Sequence, residues 1–180
     1  AMRQGETFYG LLASEALGIA SNDAHTPNAR GSSAWRQVQD HRNVRIAVAL
    51  KEIGQDSRAD TTLRHQARIG TAQDYAALLG IARSLSLPST QMFFAHYGPS
   101  GQRGDTYARY PAPDWQPEGG WRIDRSLVFA HALQESQFRT SVVSPAGAYG
   151  LMQVRPGTAQ DIAGKRGVAL RTSDLANPSV

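Results

Sequence analysis

The residue type and setting that could do chemistry meet at Glu135. It follows the run Ile123, Leu127, Val128, Phe129, Ala130, Ala132 and Leu133, and in a helix it would lie above Val128 and beside Leu127, Ala132 and Phe138. A helix that is apolar nearly all the way round belongs in the centre of a domain and not on its surface. Burial disfavours an ionised carboxyl, so the sequence predicts a Glu135 that keeps a proton near neutral pH, the state in which a general acid begins. The structural alternative is a carboxylate satisfied by an arginine or by backbone donors at the helix end. Between Arg125 and Gln160 no other acid occurs. The two carboxylates of most glycosidases are therefore not both present locally, and a partner would have to be Asp124, Asp161 or a group outside the chain.

Beyond Glu135, the stretch Ser144-Pro145-Ala146-Gly147-Ala148-Tyr149-Gly150 is turn-forming, and its small residues let a ligand approach the backbone. Leu151-Met152-Gln153-Val154 then sets a polarisable apolar residue beside an amide able to donate and accept. Sugars call for such a surface, with hydrogen bonds for the hydroxyls and apolar contact for the ring faces. Taken alone, Gln153 reads equally well as an exposed or capping amide.

Other chemistries find less support. With no cysteine, thiol catalysis and cysteine-ligated zinc are excluded. His25, His41, His65, His96 and His131 do not pair with carboxylates at a ligand spacing, so no metal and no cofactor is expected. Ser136 lies in no Gly-x-Ser-x-Gly elbow. The net charge of +4 is dispersed along the chain. No basic helix with interleaved aromatics accompanies it, which argues against a nucleic-acid partner; an acidic polysaccharide or a peptide-bearing glycan fits the charge equally well. No stretch approaches the roughly 20 apolar residues of a membrane span, and no signal-peptide pattern opens the sequence.

The elements that must position these residues read as helices throughout. Glu6 to Leu17, a segment opened by Trp35 and Val38, Val44 to Ile53, Ala59 to Ile69 and Tyr75 to Leu85 each carry apolar residues and are closed by glycine, proline or polar residues. Strand patterning is absent. Helices of about a dozen residues joined by short turns suggest solenoid-like hairpins, with an ordinary bundle as the alternative. Composition breaks at Gly98, and the stretch from Tyr110 to Gly120 is rich in proline and glycine. Asp124 is a candidate N-cap for a helix running to Phe138, and Pro156 opens another through Ala163.

Glu135-Ser136-Gln137-Phe138, then Ser144 to Val154, then Pro156-Gly157-Thr158-Ala159, resemble in order and spacing the soluble lytic transglycosylase family, whose catalytic domain is similar to goose-type lysozyme. Phe8-Tyr9-Gly10-Leu11-Leu12-Ala13 and Tyr110-Pro111 extend the resemblance, more loosely, to the large members with a helical superhelix upstream. Leu133 stands where members often have Arg, and Arg125 where they often have Pro.

The resemblance implies an all-α chain: a helical superhelical domain over residues 1–109, a Pro/Gly-rich linker over 110–120, and the N-terminal part of a lysozyme-like domain over 121–180. The family continues past this point with an Asn-bearing helix and a Tyr-Asn motif, so the chain reads as a truncated or proteolysed fragment that is not expected to be active alone. The resemblance further implies that Glu135 is the catalytic acid/base and that Ser144, Gly150, Met152 and Gln153 line a saccharide groove. The implied reaction is non-hydrolytic cleavage between N-acetylmuramic acid and N-acetylglucosamine in peptidoglycan strands, closing a 1,6-anhydro ring. A bacterial periplasmic or cell-envelope location goes with it. The competing expectations are a hydrolytic muramidase of the same fold and a non-catalytic, peptidoglycan-binding helical scaffold.

Overall fold

The computed structural model describes residues 33–98 and 106–179, the side chains of 106 and 107 excepted. The helix expected over Glu6 to Leu17 lies outside the described residues. Elsewhere the chain is helical: α1 (Ser33–Val38), α2 (Arg42–Glu52), α3 (Asp56–Ile69), a 3-10 turn at Ala72–Asp74, α4 (Tyr75–Ser84), α5 (Pro88–Tyr97), α6 (Thr106–Arg109), α7 (Arg125–Ser136), α8 (Pro156–Lys165) and a final 3-10 turn at Thr172–Ala176. Among the described residues no strand forms, and only the isolated bridges Val143 to Tyr149 and Tyr149 to Val154 occur.

Each helix end has a local cause. Gly54 follows α2 with φ 73°, a left-handed conformation that costs glycine nothing. Pro88 and Pro156 stand in the first turns of α5 and α8, where the missing N–H has no helical partner to lose. Thr71 and Asp74 close a capping box at the start of the 3-10 turn.

Helices α2 and α3 pack together as a hairpin, α1 lies on α4, and α5 contacts α3, α4 and α6. Their apolar stripes meet in one core built on Val38, Val44, Leu63, Leu78, Ile81 and Phe94. Each such side chain contributes roughly 1.5–3 kcal/mol on full burial. Tyr75 meets Phe94 edge to face at 4.8 Å, and its hydroxyl donates to the Phe94 carbonyl at 3.2 Å.

A second cluster holds the segment that carries Glu135. It joins Phe129, Ala132 and Phe138 to Met92 of α5, with Trp115, Trp121, Leu133 and Leu151 packed against them. Met92 thus ties the helical hairpins to α7. The proline-rich stretch before α7 is laid down by its aromatics: Trp115 lies 6.2 Å from Phe138 and Trp121 5.6 Å from Phe129. Arg125 clasps it from the other side, donating to the Pro113 carbonyl at 2.6 Å with its guanidinium 5.0 Å from the Phe129 ring. That clasp gives Arg125 a physical role in holding the stretch before α7.

Candidate functional site

Helix α7 starts as its sequence requires. The Asp124 carboxylate accepts from the backbone N–H groups of Ser126 (2.7 Å) and Leu127 (3.2 Å), satisfying two donors that have no helical partner. The helix is not enclosed, however. Its buried residues are Phe129, Ala132 and Ser136, a single stripe at helical spacing, while Leu127 remains 53% exposed. Glu135 lies off that stripe and is exposed. The expected apolar enclosure of its carboxyl is therefore absent: an apolar sequence periodicity reports what a face is made of, and here only one face is covered. The alternative of a satisfied carboxylate is not met either. Among the described residues the Glu135 side chain has no hydrogen bond and no ion pair. It stands at the last turn of α7 as an open, unpartnered acid.

The chain turns sharply immediately after it. Gln137 (φ 52°) and Phe138 (φ 60°) are both left-handed, each at a cost of roughly 1–2 kcal/mol for a residue with a Cβ. The strain is offset by two helix-closing bonds, Gln137 N–H to Leu133 (3.1 Å) and Phe138 N–H to Ala132 (3.2 Å). Burial of the Phe138 ring against Trp115 and Phe129 adds to this. Helix α7 thus ends at Ser136, two residues earlier than its sequence suggests. The Ser136 hydroxyl is buried and donates back to the Ala132 carbonyl at 3.0 Å, so it belongs to the helix end.

Ser144, Gly150 and Gln153 come together in the loop between α7 and α8, where they brace one another. The Ser144 hydroxyl accepts from the Ala148 N–H at 3.0 Å, and Gly147 N–H donates to the Ser144 carbonyl at 2.9 Å. Tyr149 pairs with Val154 through N–H to O bonds of 2.9 and 3.1 Å in the two directions. Gly150 sits at φ 72°, and a Cβ there would collide with the Leu175 carbonyl. It is therefore buried against the backbone of the final 3-10 turn. The side-chain amide of Gln153, itself at φ 47°, donates to the carbonyls of Gly150 (2.9 Å) and Val142 (3.3 Å). Both donors of that amide are spent inside the loop. Met152, 39% exposed, is the most open member of the set, with Ser144 and Gln153 half-buried. Residue types signalled this loop correctly; which of its groups face outward depends on backbone bonds that no spacing rule encodes.

Sequence reasoning missed a different group. Arg64, Arg68 and Arg139 line a cavity of about 690 Å³ between α3, α5 and the segment leaving α7, with Phe93, His96 and Tyr97. No motif links residues so far apart in the chain. The signal available was only the excess of arginine in a modestly basic protein. Among the described residues no group of three or more histidine or acidic side chains is arranged to hold a metal, and no helix is long and apolar enough to cross a membrane.

Comparison with known proteins agrees with this architecture. Residues 116–180 match the family model for the transglycosylase SLT domain. No curated protein matches the chain. Among solved structures, an inactive mutant of the lytic transglycosylase Slt from Pseudomonas aeruginosa superimposes with a TM-score of 0.59 at 24% identity, over 96% of this chain and 29% of that one. The 70 kDa soluble lytic transglycosylase from Escherichia coli does so with a TM-score of 0.65 at 22% identity, over 97% of this chain and 29% of that one. The chain thus spans about 29% of the length of either structure. Residues 116–180 match the transglycosylase SLT domain model, and the chain as a whole shares the helical fold of part of these two lytic transglycosylase structures.

Proposed function

We propose that this chain carries the acid/base glutamate of a peptidoglycan lytic transglycosylase, and that Glu135 is that residue. The single observation behind the reading is an exposed carboxyl without a partner at the end of a well-anchored helix, inside the segment that matches the SLT domain. A structural carboxylate would have a cation or a donor beside it; this one is left available. The reading keeps residues 1–109 as a helical scaffold, 110–120 as the connecting stretch and 121–180 as the catalytic segment, acting in the bacterial cell envelope.

The chemistry follows from having one acid in place of two. A glycan laid over the helix end excludes water from Glu135 and supplies the desolvation that the chain itself does not. Glu135 gives its proton to the glycosidic oxygen, the bond from that oxygen to C1 of the N-acetylmuramic acid breaks, and N-acetylglucosamine leaves with a free hydroxyl. The resulting carboxylate takes the proton of the muramic C6 hydroxyl as O6 bonds to C1, which regenerates the acid and closes the 1,6-anhydro ring. No water is consumed. Met152 offers the apolar contact for a sugar ring. Ser144, Gly150 and Gln153 hold the loop that presents it, bracing one another through hydrogen bonds within the loop.

Product analysis tests this directly. The full-length natural protein, digesting peptidoglycan, should release fragments ending in 1,6-anhydro-muramic acid by mass spectrometry. Reducing muramic ends would make it a hydrolytic muramidase instead. Binding of glycan with neither product would make it a scaffold.

A further inference from the structure

The chain contains no cysteine, so no thiol is there to take an oxidant first, and its sulfur chemistry rests on three methionines, Met2, Met92 and Met152. Met2 lies outside the described residues. The other two sit in opposite surroundings. Met92 is 6% exposed and enclosed in the cluster that holds Phe129, Ala132 and Phe138. Met152 is 39% exposed, on the loop between α7 and α8. An oxidant must reach the sulfur itself, so accessibility separates the two.

The loop keeps Met152 in the open. On one side Gly150 lies so close to the Leu175 carbonyl that a Cβ would collide with it. On the other, Gln153 donates to the Gly150 carbonyl twice, from its backbone N–H at 3.2 Å and from its side-chain amide at 2.9 Å. That amide also donates to the Val142 carbonyl at 3.3 Å. Backbone pinned this way on both sides of Met152 cannot fold the thioether inward. The neighbouring Gln153 amide, with both hydrogens committed, has none to offer a new oxygen on the sulfur. Oxidation turns a flexible apolar side chain into a polar, chiral one. At this position the change falls where the apolar contact for a sugar ring is proposed.

We propose that Met152 is an oxidation site, at which a peroxide adds one oxygen atom to the sulfur and so weakens engagement of the glycan by the loop. The sulfur lone pair attacks a peroxide oxygen and the O–O bond breaks. The thioether is oxidised to the sulfoxide, and hydrogen peroxide is reduced to water. A dithiol reverses the change under a sulfoxide reductase: it is oxidised to a disulfide, and the oxygen leaves as water. The effect on glycan rests on the reading of Met152 as a sugar contact above; the preference of the oxidant for Met152 over Met92 does not.

The test treats the full chain with limiting hydrogen peroxide and follows the oxygen added to each methionine-containing peptide by mass spectrometry. Met152 should be oxidised about tenfold faster than Met92 in the folded chain, and the two rates should converge in urea. Equal rates in the folded chain overturn the proposal. In the full-length natural protein, peroxide treatment should lower peptidoglycan turnover about tenfold, and methionine sulfoxide reductases with a dithiol should restore it. Each variant is compared with its own untreated sample. M152L should hold its turnover through the treatment, and M92L should lose it as the wild type does. Full turnover by wild-type protein carrying the Met152 sulfoxide, or an equal loss in M152L, overturns the proposal. Untreated protein that cleaves no glycan would sink the catalytic reading alone. The comparison is then made on binding of solubilised glycan, where equal affinity before and after oxidation counts against the site. Melting curves of treated and untreated samples separate a lost contact from a lost fold.

Discussion

Replacing Gly150 with alanine should unlatch the candidate site from the end of the chain. Two costs arise at this position. The first is conformational: at φ 72° a residue with a Cβ loses roughly 1–2 kcal/mol relative to glycine. The second is steric and specific, because the new methyl would meet the carbonyl of Leu175, a backbone atom that cannot rotate aside. Relief requires the Thr172–Ala176 turn to move off the loop, and overpacking of this kind costs roughly 1–3 kcal/mol. Together they give about 3 kcal/mol, which for a chain of this size lowers Tm by roughly 6–12 °C. Gly147 is the matched control. It has φ 75°, but nothing within 4 Å of its hypothetical Cβ, so Gly147→Ala should show the conformational cost alone. Thermal and urea denaturation of both variants on the same chain would read the difference. Equal destabilisation of the two would refute the idea that Gly150 is required by its contact with Leu175, and would return it to the role of a small residue kept clear for ligand.

Three shorter expectations follow. Asp124→Ala removes the cap of α7 and should cost about 1 kcal/mol, visible in urea denaturation, with Asp124→Asn recovering most of it. Gln153→Glu turns an amide that donates to the Gly150 and Val142 carbonyls into a carboxylate facing them, and should cost roughly 1–3 kcal/mol; an unchanged midpoint would mean that the amide is not structural. The bond from the Thr71 hydroxyl, helped by the Thr71 N–H and by His41 nearby, holds the Asp74 carboxyl below its ordinary value of 3.8. A depressed carboxyl stabilises the fold above the unfolded value and loses that contribution as pH falls through the folded one. The Tm gap between the wild type and Asp74→Asn should therefore narrow below pH 3.8, and a gap that stays constant would contradict the assignment.

Much of this architecture was legible in the residues, and for identifiable reasons. Apolar stripes at Val44 to Ile53 and Ala59 to Ile69 became α2 and α3, because periodicity and a terminating glycine act locally. Asp124 and Pro156 began their helices as expected, since a cap or a first-turn proline depends on only a few neighbouring residues. What failed was inference about surroundings. Glu135 was expected inside an apolar helix, yet α7 is covered along one stripe only, and no periodicity can report which faces find partners. The same limit applies to Gln153, whose amide turned inward to carbonyls, and to Gln137 and Phe138, whose left-handed backbone depends on the packing of one phenyl ring. The Arg64, Arg68 and Arg139 cluster was invisible for the plainest reason, since only tertiary packing brings α3 to the segment after α7.

The claim on which the account turns is that the open carboxyl of Glu135 moves the proton in glycan cleavage. The decisive measurement is the turnover of peptidoglycan by the full-length natural protein and by its Glu135→Gln variant, with melting curves confirming that both are folded. General acid/base groups contribute about 10²–10⁴-fold to rate. With no second acid between Arg125 and Gln160 to share the task, the variant should fall at the upper end of that range and release almost no 1,6-anhydro ends. A folded Glu135→Gln protein that cleaves glycan at the wild-type rate would contradict it.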